Sequence, residues 1–518
     1  MLILLPAFFL LLTSLSLLAL HLLQPDFKYP WMIAAGGTIA AFLSVLIWRL
    51  HFPLTFSLPS WQPADLFASS PTWLADDVSW PYALALAVLA VAIVWTSVVR
   101  VESNPSTWAG TALITAMGIL AVTAANPLTL ILAWTAMDLT ELLSMLRSTE
   151  GEAQSENVVI AFAVRLAGTG LVIWASTVSA SLGTLLDFRA VPSRVGIYLL
   201  LAVGLRLGVL PLHLPYRQEN VLRRGFGTSL RLVSAAASLA LLSRIPPSGF
   251  SPLIVVILLV LVAFPALYAG WMWVRASDEL IGRPFWILGM ASLAVAACLR
   301  ADPLGSTAWG VALILSGGLL FLFSARQASL LALPLLAIWG LSSIPFSLTA
   351  SAWQSGNRIS VLFLIPYIPT QALLLAGYIR HALHRGETSF ESQARWAKLI
   401  YPAGLCLPAG VQILLGVWGW DGAHRVGLWW AAFACLLLAG GATALAMVRL
   451  SRQAAGEGPF HWSEIFRLNW LYRILQALFR VSGWIVDTLN TGLEGEGGIL
   501  WSVLILVLIL SLISRLGH

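Results

Sequence analysis

Apolar runs about twenty residues long recur along the whole chain, separated by short stretches in which proline, glycine and charged residues collect. A bilayer core about 30 Å thick is crossed by about twenty helical residues, so each run predicts one transmembrane helix. The runs fall at 2–23, 31–50, 81–99, 107–125, 128–146, 157–181, 195–212, 227–243, 252–274, 284–299, 306–324, 328–350, 359–379, 399–419, 427–448 and 497–514, sixteen in all. The first has no basic segment before it and no small-residue cleavage site after it, so it reads as a span rather than a signal peptide. The predicted fold class is therefore an all-α polytopic membrane protein.

One segment breaks the pattern. From Phe460 to Asn490, Trp462, Ile465, Phe466, Trp470, Leu471, Ile474, Leu475, Leu478 and Phe479 alternate with Glu464, Arg467, Arg473 and Arg480. An apolar stripe at helical spacing beside a basic face suits an amphipathic helix lying on a membrane surface or along a partner, and a plain interhelical loop is the other reading.

Composition agrees with the periodicity. Hydrophobic residues make up 59% of the 518 residues, charged residues only 10%, and the mean hydropathy is +0.87, values that exclude a water-soluble globular chain. The net charge of +6 does not point to nucleic acid, because the basic residues are scattered over short loops. They report orientation. With the N-terminus outside, the inner loops carry 18 Lys and Arg, the outer side 8 and the spans 3, which predicts a cytoplasmic-membrane protein with an external N-terminus and the amphipathic segment on the inner side. Arg217, Arg223 and Arg224 share one inner loop, as orientation signals or as contacts to anionic lipid. Cys298, Cys406 and Cys435 all lie in apolar runs without the paired spacing that metal or redox sites need.

Ionisable residues inside the spans cost about 2.5 to 3.5 kcal/mol each on insertion scales, so each is a candidate functional group. The fifth span holds Asp138 and Glu141, three residues apart and hence on one helical face; the next three hold Arg165, Arg206 and Arg231. Two acids followed by an arginine on each of three spans predict internal ion pairs. These pairs either fix helix packing or lie on an ion pathway, and Glu141 and Arg231 could instead sit near the interface, partly hydrated.

The second half differs. Residues 284–299, 303–325, 327–357 and 359–379 contain no Asp, Glu, Lys, Arg or His, and so no side chain that gains and loses a proton near neutral pH. The eight histidines, at 21, 51, 213, 381, 384, 424, 461 and 518, fall in loops, tails or span ends. His381 and His384 read as one turn of a loop, with too few ligands for a metal site. No metal site and no cofactor is expected in this chain.

At several of these positions the sequence resembles the antiporter-like membrane subunits of respiratory complex I, which are related to Mrp-type cation/proton antiporters and membrane-bound hydrogenase subunits. Gly204-Leu-Arg206-Leu-Gly-Val-Leu-Pro211-Leu-His213-Leu-Pro215 resembles the family's seventh helix, in which a lysine precedes a Leu-Pro-Leu-His stretch. Residues Ala161 to Gly168 are similar to its sixth helix, Trp80 after Asp77-Val-Ser79 to the entry of its third, and Leu341-Ser-Ser-Ile-Pro345 to the break in its twelfth. The resemblance implies two inverted five-helix repeats, each with a broken helix at mid-membrane, joined by a hydrated chain of acids and lysines. It divides the chain into N-terminal spans at 1–106, a first repeat at 107–243, a second at 252–419, a span and loop at 427–458, a lateral amphipathic helix at 459–490 and a final span at 497–518. The partners it implies are other membrane subunits of a complex I-like assembly, together with lipid.

The working positions depart from that pattern. Thr135 stands where the family has a glutamate after the fifth-helix tryptophan, Arg206 where it has the seventh-helix lysine, and Arg231 where it has the eighth-helix histidine. The second repeat's lysine falls near Gly317, and its terminal acid or lysine near Thr349 to Trp353. Lysine can release a proton when its partner moves, whereas arginine stays protonated at any accessible pH. Asp138, one turn beyond Thr135, is the expected partner of Arg206. The implied function is a non-redox, antiporter-like subunit of an oxidoreductase-type translocase whose own proton relay is lost, leaving a structural or gating role. The alternative is an active proton- or cation-coupled transporter subunit, including the membrane partner of an inorganic-carbon uptake complex. An enzyme in its own right is disfavoured, since no CxxC, GxGxxG or HExxH element is present.

Overall fold

A computed structural model describes residues 1–59, 69–100, 105–148, 152–214, 224–246, 251–354, 361–384, 390–419 and 424–452, and residue 480. The chain divides into two units, Met1–Gly458 and Pro459–His518. The expected lateral helix at 459–490, all but Arg480, and the final span lie outside the described residues, as do Arg217 and Arg223.

Fifteen α-helices occupy the described residues, one for each of the first fifteen apolar runs. They are α1 (Leu5–Leu23), α2 (Pro30–Trp48), α3 (Ser79–Thr96), α4 (Pro105–Val122), α5 (Pro127–Ser148), α6 (Glu152–Ser181), α7 (Gly196–Leu207), α8 (Phe226–Leu242), α9 (Pro252–Arg275), α10 (Glu279–Leu299), α11 (Pro303–Leu322), α12 (Ala332–Leu341), α13 (Tyr367–Ala382), α14 (Ala397–Leu414) and α15 (Trp429–Arg452). Proline opens α2, α4, α5, α9 and α11, where its missing N–H would have had no intrahelical partner. Asp278 and Asp302 cap α10 and α11 by accepting backbone N–H groups at 2.8 to 2.9 Å.

The all-α class holds, with one local addition and one correction. The loop after α2 contains a short two-stranded antiparallel sheet, β1 (Leu54–Ser57) paired with β2 (Thr72–Ala75). His381 lies in the last turn of α13 rather than in a loop, buried, with Nε2 2.9 Å from the Trp273 carbonyl.

Burial sorts the helices. The spans of α3, α10 and α11 are more than four-fifths buried and α8 is buried along its whole length, so these four form the centre. Alanines along α3, among them Ala83, Ala85, Ala87, Ala90 and Ala92, let its neighbours approach closely, the usual packing device where lipid supplies no hydrophobic drive. Peripheral α1 and α9 leave Phe8, Leu12, Leu15, Leu253, Ile257, Val260 and Phe264 exposed, an apolar rim suited to lipid.

Contacts between helix ends agree with helices that alternate in direction. Asp76, before α3, accepts two bonds of 2.9 Å from Arg244, after α8, and the turn after α4 bonds both β2 and the segment before α7. At the other end, Arg224 before α8, Glu279 at the start of α10 and Arg326 before α12 meet one another. Within α4–α8 and within α9–α13, the first helix packs against the fifth and the fourth is cut short.

Candidate functional site

The five charges expected to pair do so in one buried cluster. Asp138 and Glu141 stand on α5; Arg165, Arg206 and Arg231 come from α6, α7 and α8, and all five side chains are less than a tenth exposed. Arg206 grips Asp138 with two parallel bonds of 2.7 Å, from Nη1 to Oδ2 and from Nη2 to Oδ1. This fork-on-carboxylate geometry is the strongest ion pair available to arginine. The same guanidinium lies 4.1 Å from the centroid of the buried Trp134 ring and donates 3.2 Å to the Arg165 carbonyl. Glu141 bridges the other two arginines: Arg231 Nη1 donates to Oε1 at 2.9 Å and Arg165 Nη1 donates to Oε2. Arg165 also lies 3.9 Å from Asp138, which joins the two pairs. Glu141 and Arg231 are thus both buried inside the protein.

Local sequence places each group. Gly168 on α6 faces the stem of Arg206; a Cβ there would come within 2.7 Å of Arg206 Cγ, so only glycine lets the side chain pass. Immediately after Arg206, α7 stops. Gly208 takes a left-handed φ of 76°, and the chain turns through a cis Leu210–Pro211 bond to His213, whose N–H returns to the Gly208 carbonyl at 2.9 Å. Pro211 is therefore part of the helix break. Thr135, half-buried on α5, adds no hydrogen bond to the cluster.

The corresponding region of the second half is polar but neutral. After α12 the chain breaks over residues 342–349, with Pro345 exposed in the break and left-handed φ at Ser343 and Phe346. Thr349 Oγ1 accepts from Ser343 N at 3.0 Å and donates to the Gly340 carbonyl at 2.9 Å. Gln371 of α13 donates to the Leu341 carbonyl at 2.7 Å, and Gln412 of α14 to the Ala337 carbonyl at 3.1 Å. Gln371 thereby satisfies a carbonyl that the interrupted helix leaves without a partner, as broken helices require, and Gln412 adds a bond one turn earlier. At Gly317, a Cβ would lie 2.6 Å from Nε1 of Trp286, a fully buried indole that donates to the Leu313 carbonyl at 3.2 Å. An aromatic ring fills the space into which a side chain at 317 would project.

Sequence reasoning missed a second charged group. Buried Glu279 Oε1 accepts from Arg224 at 2.7 Å and from Arg326 at 2.6 Å, and Arg224 also donates to the Phe321 carbonyl at 2.6 Å. Arg224 is thus held inside the bundle and not at lipid. Nearby Arg283, fully buried, donates to Thr228 at 2.9 Å. The available signal was Glu279 directly after a helix cap, with loop arginines on both sides in the alternating topology. At the opposite end, burial pushes the Asp302 carboxyl up to about 6, against the pull of the Gly305 N–H and Arg300. Burial also works to raise Asp76, but Arg244 and Ser79 outweigh it and hold the carboxyl below its ordinary value. Among the described residues, no group of three or more His, Cys, Asp and Glu is placed to hold a metal.

Known structures share this architecture. A chain of the archaeal membrane-bound sulfane sulfur reductase complex superposes with a TM-score of 0.66 over 97% of this chain and 99% of its own length, at 14% identity. A chain of the Mrp complex from Dietzia sp. gives 0.70 over 99% of this chain, also at 14% identity. The fold is the one shared with these two membrane-complex chains. A chain of respiratory complex I from Thermus thermophilus gives 0.57 over 79% of this chain and 97% of its own, at 17% identity. The chain spans only 63% of the Mrp-complex chain. No protein-family model and no curated protein matches it by sequence.

Proposed function

We propose that this chain is an antiporter-like membrane subunit of a complex I-like or Mrp-like assembly, and that a fixed ion-pair cluster replaces its own proton relay. The observation that carries the reading is the bidentate pair of Arg206 and Asp138 at the point where α7 breaks. A guanidinium retains its proton at any accessible pH, and this one occupies both oxygens of the Asp138 carboxylate, so the pair reads as a fixed clamp rather than a relay. Trp286 packed against Gly317, and the neutral amide network around the α12 break, extend the reading to the second half. The chain then acts by shape: it ties α5 to α8 together and presents its outer helices to lipid and to neighbouring membrane subunits. The excess of basic residues on one side supports a cytoplasmic (inner) membrane location with the N-terminus outside.

The test is made in the intact assembly. After mild solubilisation, the tagged chain should co-purify with other membrane subunits. Replacing the pair by Asp138→Asn with Arg206→Gln, which removes both charges and keeps hydrogen-bonding groups, should leave ion translocation by the assembly within about twofold of the parent. Loss of translocation in a correctly assembled double variant would show that the pair carries ions and would overturn the reading. A single cysteine placed at Gln24 should react with a membrane-impermeant reagent only from the cytoplasmic side if the N-terminus is outside.

A further inference from the structure

At the end of the bundle opposite Glu279, a buried arginine and a buried acid meet one short piece of chain. α10 ends at Leu299, and Ala301 turns the backbone through a left-handed φ of 67° into α11. Buried Arg300 sends Nε to the Ala296 carbonyl at 3.2 Å, and Nη1 and Nη2 to the Gln354 and Ala352 carbonyls at 3.1 Å each. Those two carbonyls belong to a single 3-10 turn, Ala350–Trp353, and its C-cap, which follow the α12 break. The turn is tied to the break itself, since Trp353 Nε1 donates to Gln371 Oε1 at 2.9 Å and Gln371 holds the Leu341 carbonyl. On its other side, Gly427 and Leu428 ahead of α15 donate to the Ala350 and Trp353 carbonyls. Arg300 is therefore the clamp that fastens the far side of the break to α10.

Asp302 lies against the same turn. Its Oδ1 accepts from the Gly305 N–H at 2.9 Å, while Oδ2 is buried and has no hydrogen-bond partner. A Cβ built on Gly305 would collide with that Oδ2 and lie 3.2 Å from Cα of Ala352, so acid and turn crowd one spot. The hydroxyls of Ser306 and Ser351, also buried, are unpartnered as well. A protonated carboxyl has a hydrogen to offer such neighbours; a carboxylate brings only a buried charge that draws on Arg300. The other groups at this end are Cys298 of α10, Tyr367 of α13, and His424 and Arg425 ahead of α15, whereas residues 303–325 and 350–354 add none. A thiol and a phenol stay neutral through the acid and neutral range, which leaves Asp302 and exposed His424 as the groups that titrate there.

We propose that Asp302 and Arg300 form a proton-operated latch on the turn Ala350–Trp353. With Asp302 protonated, Arg300 holds the Ala352 and Gln354 carbonyls and the turn is fastened to α10. With Asp302 ionised, the guanidinium swings to the carboxylate and releases the two carbonyls. The turn then loosens, together with the α12 break that Trp353 and Gln371 tie to it. Burial raises the Asp302 carboxyl to about 6, so the latch is fastened on the acid side and loosens as pH rises through that value. It belongs to the second half alone and stands whether or not the Arg206 cluster moves protons.

The experiment is amide hydrogen–deuterium exchange of the purified full chain in lipid nanodiscs, read on peptides covering residues 350–354 and corrected for the intrinsic pH dependence of exchange. A carboxyl that titrates at about 6 when fastened and at its ordinary 3.8 when released should lower protection there about tenfold between about pH 5 and about pH 8, while α3 peptides stay unchanged. Asp302→Asn keeps the cap, cannot ionise, and should hold protection at its acid-side level throughout. Arg300→Lys keeps a charge but lacks the fork that spans the two carbonyls, and should lower protection at both pH values. His424→Gln should leave the drop in place. Protection independent of pH in the folded parent, a drop that survives Asp302→Asn or vanishes in His424→Gln, or parent-like protection of Arg300→Lys on the acid side would each overturn the proposal.

Discussion

The two halves of the bundle solve one problem with different chemistry. Each contains five consecutive helices whose fourth is broken, and each must satisfy polar groups at membrane depth. In α4–α8 the region around the break is filled with permanent charges, where Arg206 requires Asp138 and Glu141 is shared by Arg165 and Arg231. In α9–α13 the same need is met by Thr349, Gln371 and the neighbouring Gln412, and a tryptophan occupies the space beside Gly317. On the proposed reading, a broken helix in a membrane protein is not in itself a conduction site; what decides is whether the groups that satisfy it can pass a proton on, and a guanidinium retains its own.

The largest expected effect comes from breaking the charged half. Arg206→Met leaves Asp138 buried and without its main partner and should cost about 3–5 kcal/mol, read as a fall in unfolding temperature in nanodiscs. Asp138→Leu combined with Arg206→Met removes both charges and should recover most of that loss. If the double variant is as unstable as the single, the first half depends on its charges in a way the second half does not.

Next in size is a titration at the rim of the second half. Asp302 is raised from its ordinary 3.8 to about 6, so the native state favours its protonated form. Its contribution to stability is full below the ordinary value and is lost as pH rises through about 6. Asp302→Asn keeps a capping acceptor for Gly305 and should flatten that part of the pH–stability profile, raising stability at neutral pH by up to about 3 kcal/mol. An unchanged profile would show that Asp302 does not titrate in this range.

The smallest effect concerns the neutral half. Gly317→Ala forces a methyl group against the Trp286 indole and should cost about 1–3 kcal/mol by overpacking. Trp286→Phe in the same chain should relieve it. A fully tolerated Gly317→Ala would mean the indole yields easily and the space is not closed.

Much of this was legible in the sequence. Fifteen apolar runs marked fifteen helices, because in a bilayer each span must be apolar over a fixed length. Asp138, Glu141, Arg165, Arg206 and Arg231 were legible as a cluster because uncompensated charge at that depth is too costly to leave dispersed. The breaks were less so. The run 195–212 continues through Val209 and Leu210 although α7 ends at Leu207, since hydropathy does not register a left-handed Gly208. Glu279 was hidden because Arg224 and Arg326 count as loop charges along the chain and fold inward only in three dimensions. Likewise Arg380 seemed to end its span, yet it donates to the Ala276 carbonyl at 2.7 Å while the helix continues past His381 to Ala382. The β1–β2 pairing joins segments of four residues each, too short to show alternation against the surrounding apolar sequence.

Proton flux through the purified chain, reconstituted alone into liposomes and driven by a potassium diffusion potential, tests the central claim most directly. The account predicts flux no greater than in protein-free liposomes, for the parent chain and for Asp138→Asn alike. Rapid flux through the parent chain that Asp138→Asn abolishes would contradict it.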